Sequence, residues 1–335
     1  MTSIPPVPSP LADLAVVIRS GVVESRHLGS IAALAADGSV AWQSGSGQQI
    51  LPRSTVKPVQ ALACLLAGTD LDGADLAIAA GSHTGEDVHV DVVRDLLARA
   101  GLDEGALACP VDWPEDEPTR ERLIRDGEQR TRVRMNCSGK HAAMLLACAV
   151  NGWDTASYLD PAHPLQRLVR STLERLSGDE VAYDAVDGCG APLFSVSPLG
   201  IARIFRALVT ADPGTPERRV ADAMRSFPRF VGGDRHANTE AMLRVPGLLS
   251  KGGAEGVIGM ATADGAAVSM KILDGNPRAT TLVALRVLEA LGADVSAAGD
   301  LVDLPILGGG VPVGSIEVGR DVRAWVDASA ASAAP

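Results

Sequence analysis

Residues 256–275 read GVIGMATADGAAVSMKILDG, two apolar stretches joined at Ala263-Asp264-Gly265. An Asp-Gly step between apolar stretches is a hairpin signal, so two antiparallel strands are predicted late in the chain. The same signal occurs early. LAVVIRSG (14–21) is followed by HLGSIAALAADGSVAWQSG (27–45), which turns at Asp37-Gly38. Between these ends the apolar period changes. Residues 56–66, 86–100, 138–150, 165–178, 197–210 and 216–226 repeat apolar positions at helical spacing, and 278–292 reads as a closing helix. Strands therefore sit at both sequence ends and helices fill the middle. Strands and helices do not alternate as in a doubly wound parallel sheet. The expected class is α+β: an antiparallel sheet built from both chain ends, with an inserted helical region.

Composition narrows the function classes. The 335 residues carry a net charge of −11 and contain no run of basic residues, which argues against nucleic acid and anionic membrane as partners. The longest unbroken apolar run, Ala142–Val150, is too short to span a bilayer. The start, MTSIPPVPSPLADLAV, lacks the basic and long apolar regions of a secretory signal. Five sparse cysteines fit a reducing cytoplasm better than a disulfide framework. Residues 1–12, rich in proline, are expected to form a flexible leader, 13–326 a single catalytic unit, and the small-residue tail 327–335 a disordered end.

One count is more telling. Of 30 basic residues only four are lysine: Lys57, Lys140, Lys251 and Lys271. Arginine is always charged, whereas a buried lysine can lose its proton. A chain that carries its solvating charge on arginine can keep lysine for sites that need a neutral amine or a compact ammonium.

The lysine contexts support this. Ser54-Thr55-Val56-Lys57 at a helix start puts both functional side chains on one face, where an amine could take the serine proton. Its plainer reading is an N-cap with a solvating lysine. Gly81-Ser82-His83-Thr84-Gly85-Glu86 is a small-residue loop ahead of a helix, suited to a second hydroxyl or to capping. Cys137-Ser138-Gly139-Lys140-His141 gathers a thiol, an amine and an imidazole at a helix entrance, a place that favours thiolate or metal chemistry. Asp187-Gly188-Cys189-Gly190 sets a second thiol between glycines. Lys251-Gly252-Gly253 is similar to the Lys-Thr-Gly element that accompanies Ser-x-x-Lys in penicillin-recognising hydrolases. No Walker loop or dinucleotide glycine motif is present.

Taken in order, VVIRSGVVESRHLGSIA, PRSTVKPVQAL, AAGSHTGE, MNCSGKHAAML, DGCGAPLFSVSPLGIAR and KGGAEGV resemble the type II asparaginases of the thermolabile, rhizobial kind, over roughly residues 13–325. That resemblance implies a fold similar to serine β-lactamases and glutaminases. It implies Ser54 as nucleophile with Lys57 as its base, and a second pair of Ser82 with Lys271. Arg53, Asp187, Gly253 and Glu255 would serve substrate binding, and Cys137, Lys140 and Cys189 would bind a zinc ion. Thr55, inside the Ser-x-x-Lys, is a departure to which the resemblance assigns no role. The implied reaction is hydrolysis of the side-chain amide of L-asparagine to L-aspartate and ammonia, by a cytoplasmic homodimer. The rivals are a glutaminase or β-lactam-type acyl hydrolase on the same scaffold, and a non-catalytic zinc- or amino-acid-binding protein. No Ser-Asp-Asn element appears, and Lys-Gly-Gly replaces Lys-Thr-Gly, which weakens the β-lactam alternative.

Overall fold

A computed structural model describes residues 10–333. Ten strands and twelve helices occur among them. In chain order they are β1 (Ala12–Arg19), β2 (Val22–Leu34), β3 (Val40–Ser44), α1 (Lys57–Leu66), α2 (Gly73–Ala79), α3 (Asp87–Arg99), α4 (Glu117–Arg125), α5 (Ser138–Asn151) and α6 (Pro164–Ser177). Then follow β4 (Asp184–Val186), β5 (Pro192–Phe194), α7 (Pro198–Thr210), α8 (Pro216–Ser226), α9 (Pro228–Gly232) and α10 (Ala237–Arg244). The chain closes with β6 (Leu249–Gly253), β7 (Val257–Ala261), β8 (Ala267–Ile272), α11 (Thr280–Ala290), β9 (Leu304–Gly308), β10 (Val311–Val318) and α12 (Arg320–Ala333).

Eight strands make one antiparallel sheet in the order β6-β7-β8-β2-β1-β10-β9, with β3 also paired to β2. The two ends of the chain meet where β2 pairs with β8, Ser30 opposite Lys271, and where β1 pairs with β10, Val17 opposite Ile316. Both Asp-Gly turns form as the sequence predicts. Ala35 N–H donates to the Ser39 carbonyl, and Thr262 N–H to the Ala266 carbonyl, each at 2.9 Å.

Strand alternation divides the core into two layers. Ile258, Met260, Val268, Met270 and Ile272 face α11 in one cluster, while Val257, Ala261 and Ala267 face the helical region in the other. Gly259 lies on the helical face because a Cβ there would stand 2.4 Å from the Phe205 ring of α7. That close approach seats the helical layer on the sheet.

The tail differs from expectation. Residues 327–333 continue α12 rather than fraying, and Trp325 of that helix stacks on Trp42 with ring centroids 5.3 Å apart. DASAASA is low in complexity but rich in alanine, the best helix former, and the Trp–Trp contact anchors the turn before it. The expected leader lies mostly outside the described residues, and Ala12, its last residue, already begins β1. No helix among the described residues is long and apolar enough to cross a membrane.

Candidate active site

Three of the four lysines are buried: Lys57 and Lys251 are 1% exposed and Lys140 2%. Removing an ammonium from water costs several kcal/mol, so stability does not explain three of them in one chain.

Lys57 opens α1, directly after the helical turn Arg53–Val56. Pro58 follows within that first turn, where a missing N–H costs nothing. The Lys57 Nζ donates to the Gly81 carbonyl (2.6 Å), to Ser82 Oγ (2.9 Å) and to the Asn136 carbonyl (3.4 Å). Three acceptors match the three protons of an ammonium. The sequence pairs Lys57 with Ser54, one turn away, but the hydrogen-bonded hydroxyl is that of Ser82.

Ser82 is held from both sides. Its own N–H donates to the Val231 carbonyl (2.8 Å), and the next N–H, of His83, to Asn136 (3.2 Å). The His83 ring is buried; its Nε2 meets Ser138 Oγ at 3.0 Å and its Nδ1 accepts from Gly85 N–H at 3.2 Å. Burial first, then the His89 and Lys57 charges, hold His83 well below the usual histidine range, so it acts as a neutral clamp between the 81–86 loop and α5.

Ser54 and Ser82 line one cavity of ≈ 590 Å³ with Glu115, Asn136, His236, Asn238, Lys251, Gly252 and Gly253. Lys251 enters from β6, the edge strand. Burial, then the nearby Lys57 charge, pull its amine down to about 7. His236 Nδ1 accepts from the Asn238 N–H at the start of α10 (3.1 Å), and burial, then Lys251, lower its pKa to about 4. A neutral ring with Nδ1 as acceptor carries its proton on Nε2. Asn238 Oδ1 accepts the Gly252 N–H at 2.8 Å, so that edge N–H is not free for a substrate oxygen. Gly253 is packed on the Ser54 turn; a Cβ there would stand 2.7 Å from Thr55 Oγ1 and 2.8 Å from the Pro52 carbonyl oxygen.

The expected pair of Ser82 with Lys271 does not form. Lys271 Nζ donates to the Glu255 carbonyl (2.6 Å) and the Ile272 carbonyl (2.5 Å). The reason is strand order: β8 lies two strands in from the edge, about 10 Å from β6 across the sheet. Lys271 instead lines a separate cavity of ≈ 250 Å³ with Arg53 and Glu255, two residues expected to bind substrate. Both adopt left-handed backbone, φ +53° at Arg53 and +62° at Glu255. Arg53 Nε donates to Asp187 Oδ1 at 2.6 Å. Burial would raise the Asp187 carboxyl, but this bond and the Lys140 charge outweigh it and hold the group below the usual carboxylate range.

Cys137, Lys140 and Cys189 do come together. Lys140 Nζ donates to Cys189 Sγ at 3.0 Å, and Cys189 Sγ lies 3.6 Å from Asp187 Oδ2. A hydrogen bond with Cys189 drives the Cys137 thiol well below its ordinary value, helped by the Lys57 and Lys140 charges against burial. Burial opposes the Lys140 charge, yet the two sulfurs raise its pKa. His141 meets Tyr158 OH through Nδ1 at 2.6 Å and leaves buried Nε2 without a partner. Among the described residues, no three His, Cys, Asp or Glu side chains gather as metal ligands, so any ion here needs Lys140 as a donor.

The residues that sequence reasoning missed are Glu115, Asn136, His236 and Asn238, which reach the cavity from loops and helix starts. Glu115, His236 and Asn238 carry no motif of their own, while Asn136 stands inside the quoted MNCSGKHAAML stretch, directly before Cys137. Lys251 was visible in its Lys-Gly-Gly context but was not given a role.

A sequence model of the family described as L-asparaginase II matches residues 15–318. The chain belongs to the L-asparaginase II family. The match takes in both serines, all four lysines and both cysteines of the cluster. No curated protein matches this L-asparaginase II family member significantly. Among solved structures it is similar to a putative β-lactamase from Bacteroides dorei DSM 17855, at 13% identity and TM-score 0.41, covering 78% of this chain and 93% of that one. It is also similar to a β-lactamase from Desulfarculus baarsii DSM 2075, at 16% identity and TM-score 0.35, covering 79% and 92%. Both scores are low, so the architecture rests on the sheet order above.

Proposed function

We propose that this asparaginase-type amidohydrolase hydrolyses the side-chain amide of L-asparagine to L-aspartate and ammonia. The observation that carries the reading is the Lys57–Ser82 hydrogen bond opening on a cavity that also holds Ser54 and Lys251, within an L-asparaginase II chain. Ser54 Oγ attacks the amide carbon and gives its proton to Lys57, which serves as base only after the ammonium held by its three acceptors has released one proton. Ser82 passes its proton to the leaving nitrogen and takes one back from Lys57, to which it is bonded, and ammonia departs. Water then attacks the acyl ester while Lys57 accepts one of its protons, and that proton returns to Ser54 Oγ as L-aspartate leaves. Lys251, whose Nζ donates to the Gly252 carbonyl at 2.6 Å on the wall of the same cavity, is the amine this reading assigns to Ser82 in place of Lys271.

Zinc belongs to the same reading. The donor set of two sulfurs, one strongly acidified, and an amine suits a thiophilic divalent ion once Lys140 sheds its proton. Cys137, Lys140 and Cys189 would hold it, and the orphaned His141 Nε2 marks a polar atom still unsatisfied in that cluster. Bound there, the ion would supply Lewis-acid charge beside the serine pair. A second reading, glutaminase, is favoured by one observation: ≈ 590 Å³ leaves room for another methylene.

The test is ammonia release from purified protein with L-asparagine and L-glutamine, each with and without added zinc. Faster release from asparagine supports the proposal, faster release from glutamine supports the second reading, and no release from a folded, zinc-supplied protein overturns both.

A further inference from the structure

An α-amino acid reaches the cavity as a zwitterion, and burying its ammonium is costly without an anionic partner. Two carboxylates line the cavity, Glu115 and Asp300. Asp300 is ion-paired to Arg244. Glu115 makes no ion pair among the described residues, although its charge acts on Lys251 across the same cavity and favours that amine's protonated form. Its side chain is exposed and is tethered at one oxygen. Asn136 Nδ2 donates to Glu115 Oε1 at 2.6 Å, which leaves Oε2 free of protein donors. The loop behind it is tied down as well: Asp116 N–H donates to the Thr84 carbonyl (3.1 Å), and Asp116 Oδ2 caps α4 by accepting from Thr119 N–H (2.9 Å).

Asn136 also ties this carboxylate to the reaction centre. Its carbonyl accepts from Lys57 Nζ and from the N–H of His83, the residue after Ser82. Glu115 is thus one side chain removed from the Lys57–Ser82 pair. In asparagine the α-nitrogen is only three bonds from the amide carbon, so a partner for it has to lie close to the attacking hydroxyl.

Resting on the asparaginase reading, we infer that Glu115 is the anchor for the α-ammonium group of the substrate and restricts the enzyme to amides that carry a free α-amine. The carboxylate then sets substrate preference and takes no part in the chemical step.

The test compares L-asparagine with succinamate, the same amide without the α-amine, in wild type and in Glu115→Gln. Glutamine keeps an acceptor for Asn136 and removes only the charge. Two readouts are taken: ammonia release, and the rise in unfolding temperature that each compound gives. The wild type is expected to prefer asparagine in both. In Glu115→Gln that preference should fall at least tenfold in kcat/KM, and the difference in thermal protection should vanish, while Glu115→Asp retains part of each. A preference unchanged within twofold in Glu115→Gln overturns the anchor. A wild type that asparagine protects but that releases no ammonia overturns the asparaginase reading and leaves the anchor standing. A wild type protected equally by both compounds overturns the anchor whatever the turnover.

Discussion

Lys57 Nζ lies 2.9 Å from Ser82 Oγ and 2.6 Å from the carbonyl oxygen of Gly81, so one buried amine fixes both the hydroxyl and the backbone just before it. The bond joins the start of α1 to the loop ahead of α3, two segments 25 residues apart. In the proposed mechanism Ser82 carries the proton between Lys57 and the leaving group.

That arrangement separates the two serines by experiment. Ser54→Ala removes the attacking atom and is expected to lower kcat by about 10³-fold or more. Ser82→Ala leaves the attacking atom and removes a proton carrier, for an expected loss of about 10²–10⁴-fold in kcat with KM little changed. An acyl-enzyme trapped by rapid quench and mass spectrometry should sit on Ser54 in both wild type and Ser82→Ala. A label found on Ser82 would reverse the assignment.

Lys251 gives a pH signature. Burial lowers its amine to about 7 from an unfolded value of 10.5. The buried-charge penalty is therefore complete below pH 7 and fades as pH rises from 7 to 10.5, because the unfolded chain binds the extra proton across that window. Unfolding temperature should rise with pH there, relative to a Lys251→Gln variant, which lacks the effect. If the neutral amine serves Ser82, kcat/KM should climb with pH along a limb centred near 7. Lys251→Arg, charged at every working pH, should lose that limb and about 10²-fold or more in rate. An identical pH profile in Lys251→Arg would remove Lys251 from the mechanism.

Much of this was legible in the chain, for physical reasons that also mark the limits. The sheet could be read because Asp37-Gly38 and Asp264-Gly265 pin two hairpins, whose strands then pair across the fold through Ser30 and Lys271. The scarcity of lysine pointed to the site, and three of the four lysines are indeed buried. Local spacing could not give the Lys57–Ser82 bond, because it depends on how α1 packs on a distant loop. Nor could it choose between Lys251 and Lys271, since that depends on which strand forms the edge of the sheet. Glu115 and Asn238 were invisible for the same reason, and Asn136, though inside a quoted motif, showed no role: each is an ordinary polar residue until tertiary packing turns it toward the cavity. The tail was misread because alanine-rich sequence looks simple, while Trp325 on Trp42 supplies the anchor that lets it stay helical.

Gly253 tests how tightly the edge strand holds the Ser54 turn. A Cβ at this position meets the Pro52 carbonyl oxygen at 2.8 Å, a backbone atom that cannot rotate away. Gly253→Ala should therefore push the Arg53–Val56 turn and the Ser54 hydroxyl outward. The expected stability cost is about 1–3 kcal/mol, typical of overpacking, read as a lower midpoint in urea. Activity should fall further than stability explains, because small displacements of a nucleophile cost about 10²-fold. Activity retained in full would place Ser54 away from the reacting atoms.

The thiol cluster predicts a metal-dependent stability. With Lys140 protonated beside the acidified thiol of Cys137, and the Cys189 thiol pushed up by its bond to Cys137 and by burial, the cluster holds a buried pair of opposite charges. A divalent ion held by these donors would replace that arrangement and would favour the folded chain, where the three donors are brought together. Zinc at about 100 times its Kd should then stabilise by about 2.7 kcal/mol, seen as an unfolding temperature several degrees higher. A chelator should reverse the rise, and proton release on binding should make it larger at higher pH, since Lys140 and the thiols must all be deprotonated. Cys189→Ala removes one donor and the acceptor of the Lys140 bond, so its unfolding temperature should no longer respond to zinc, and metal analysis should find the ion absent. An equal zinc response in Cys189→Ala would show that the ion binds elsewhere in the chain.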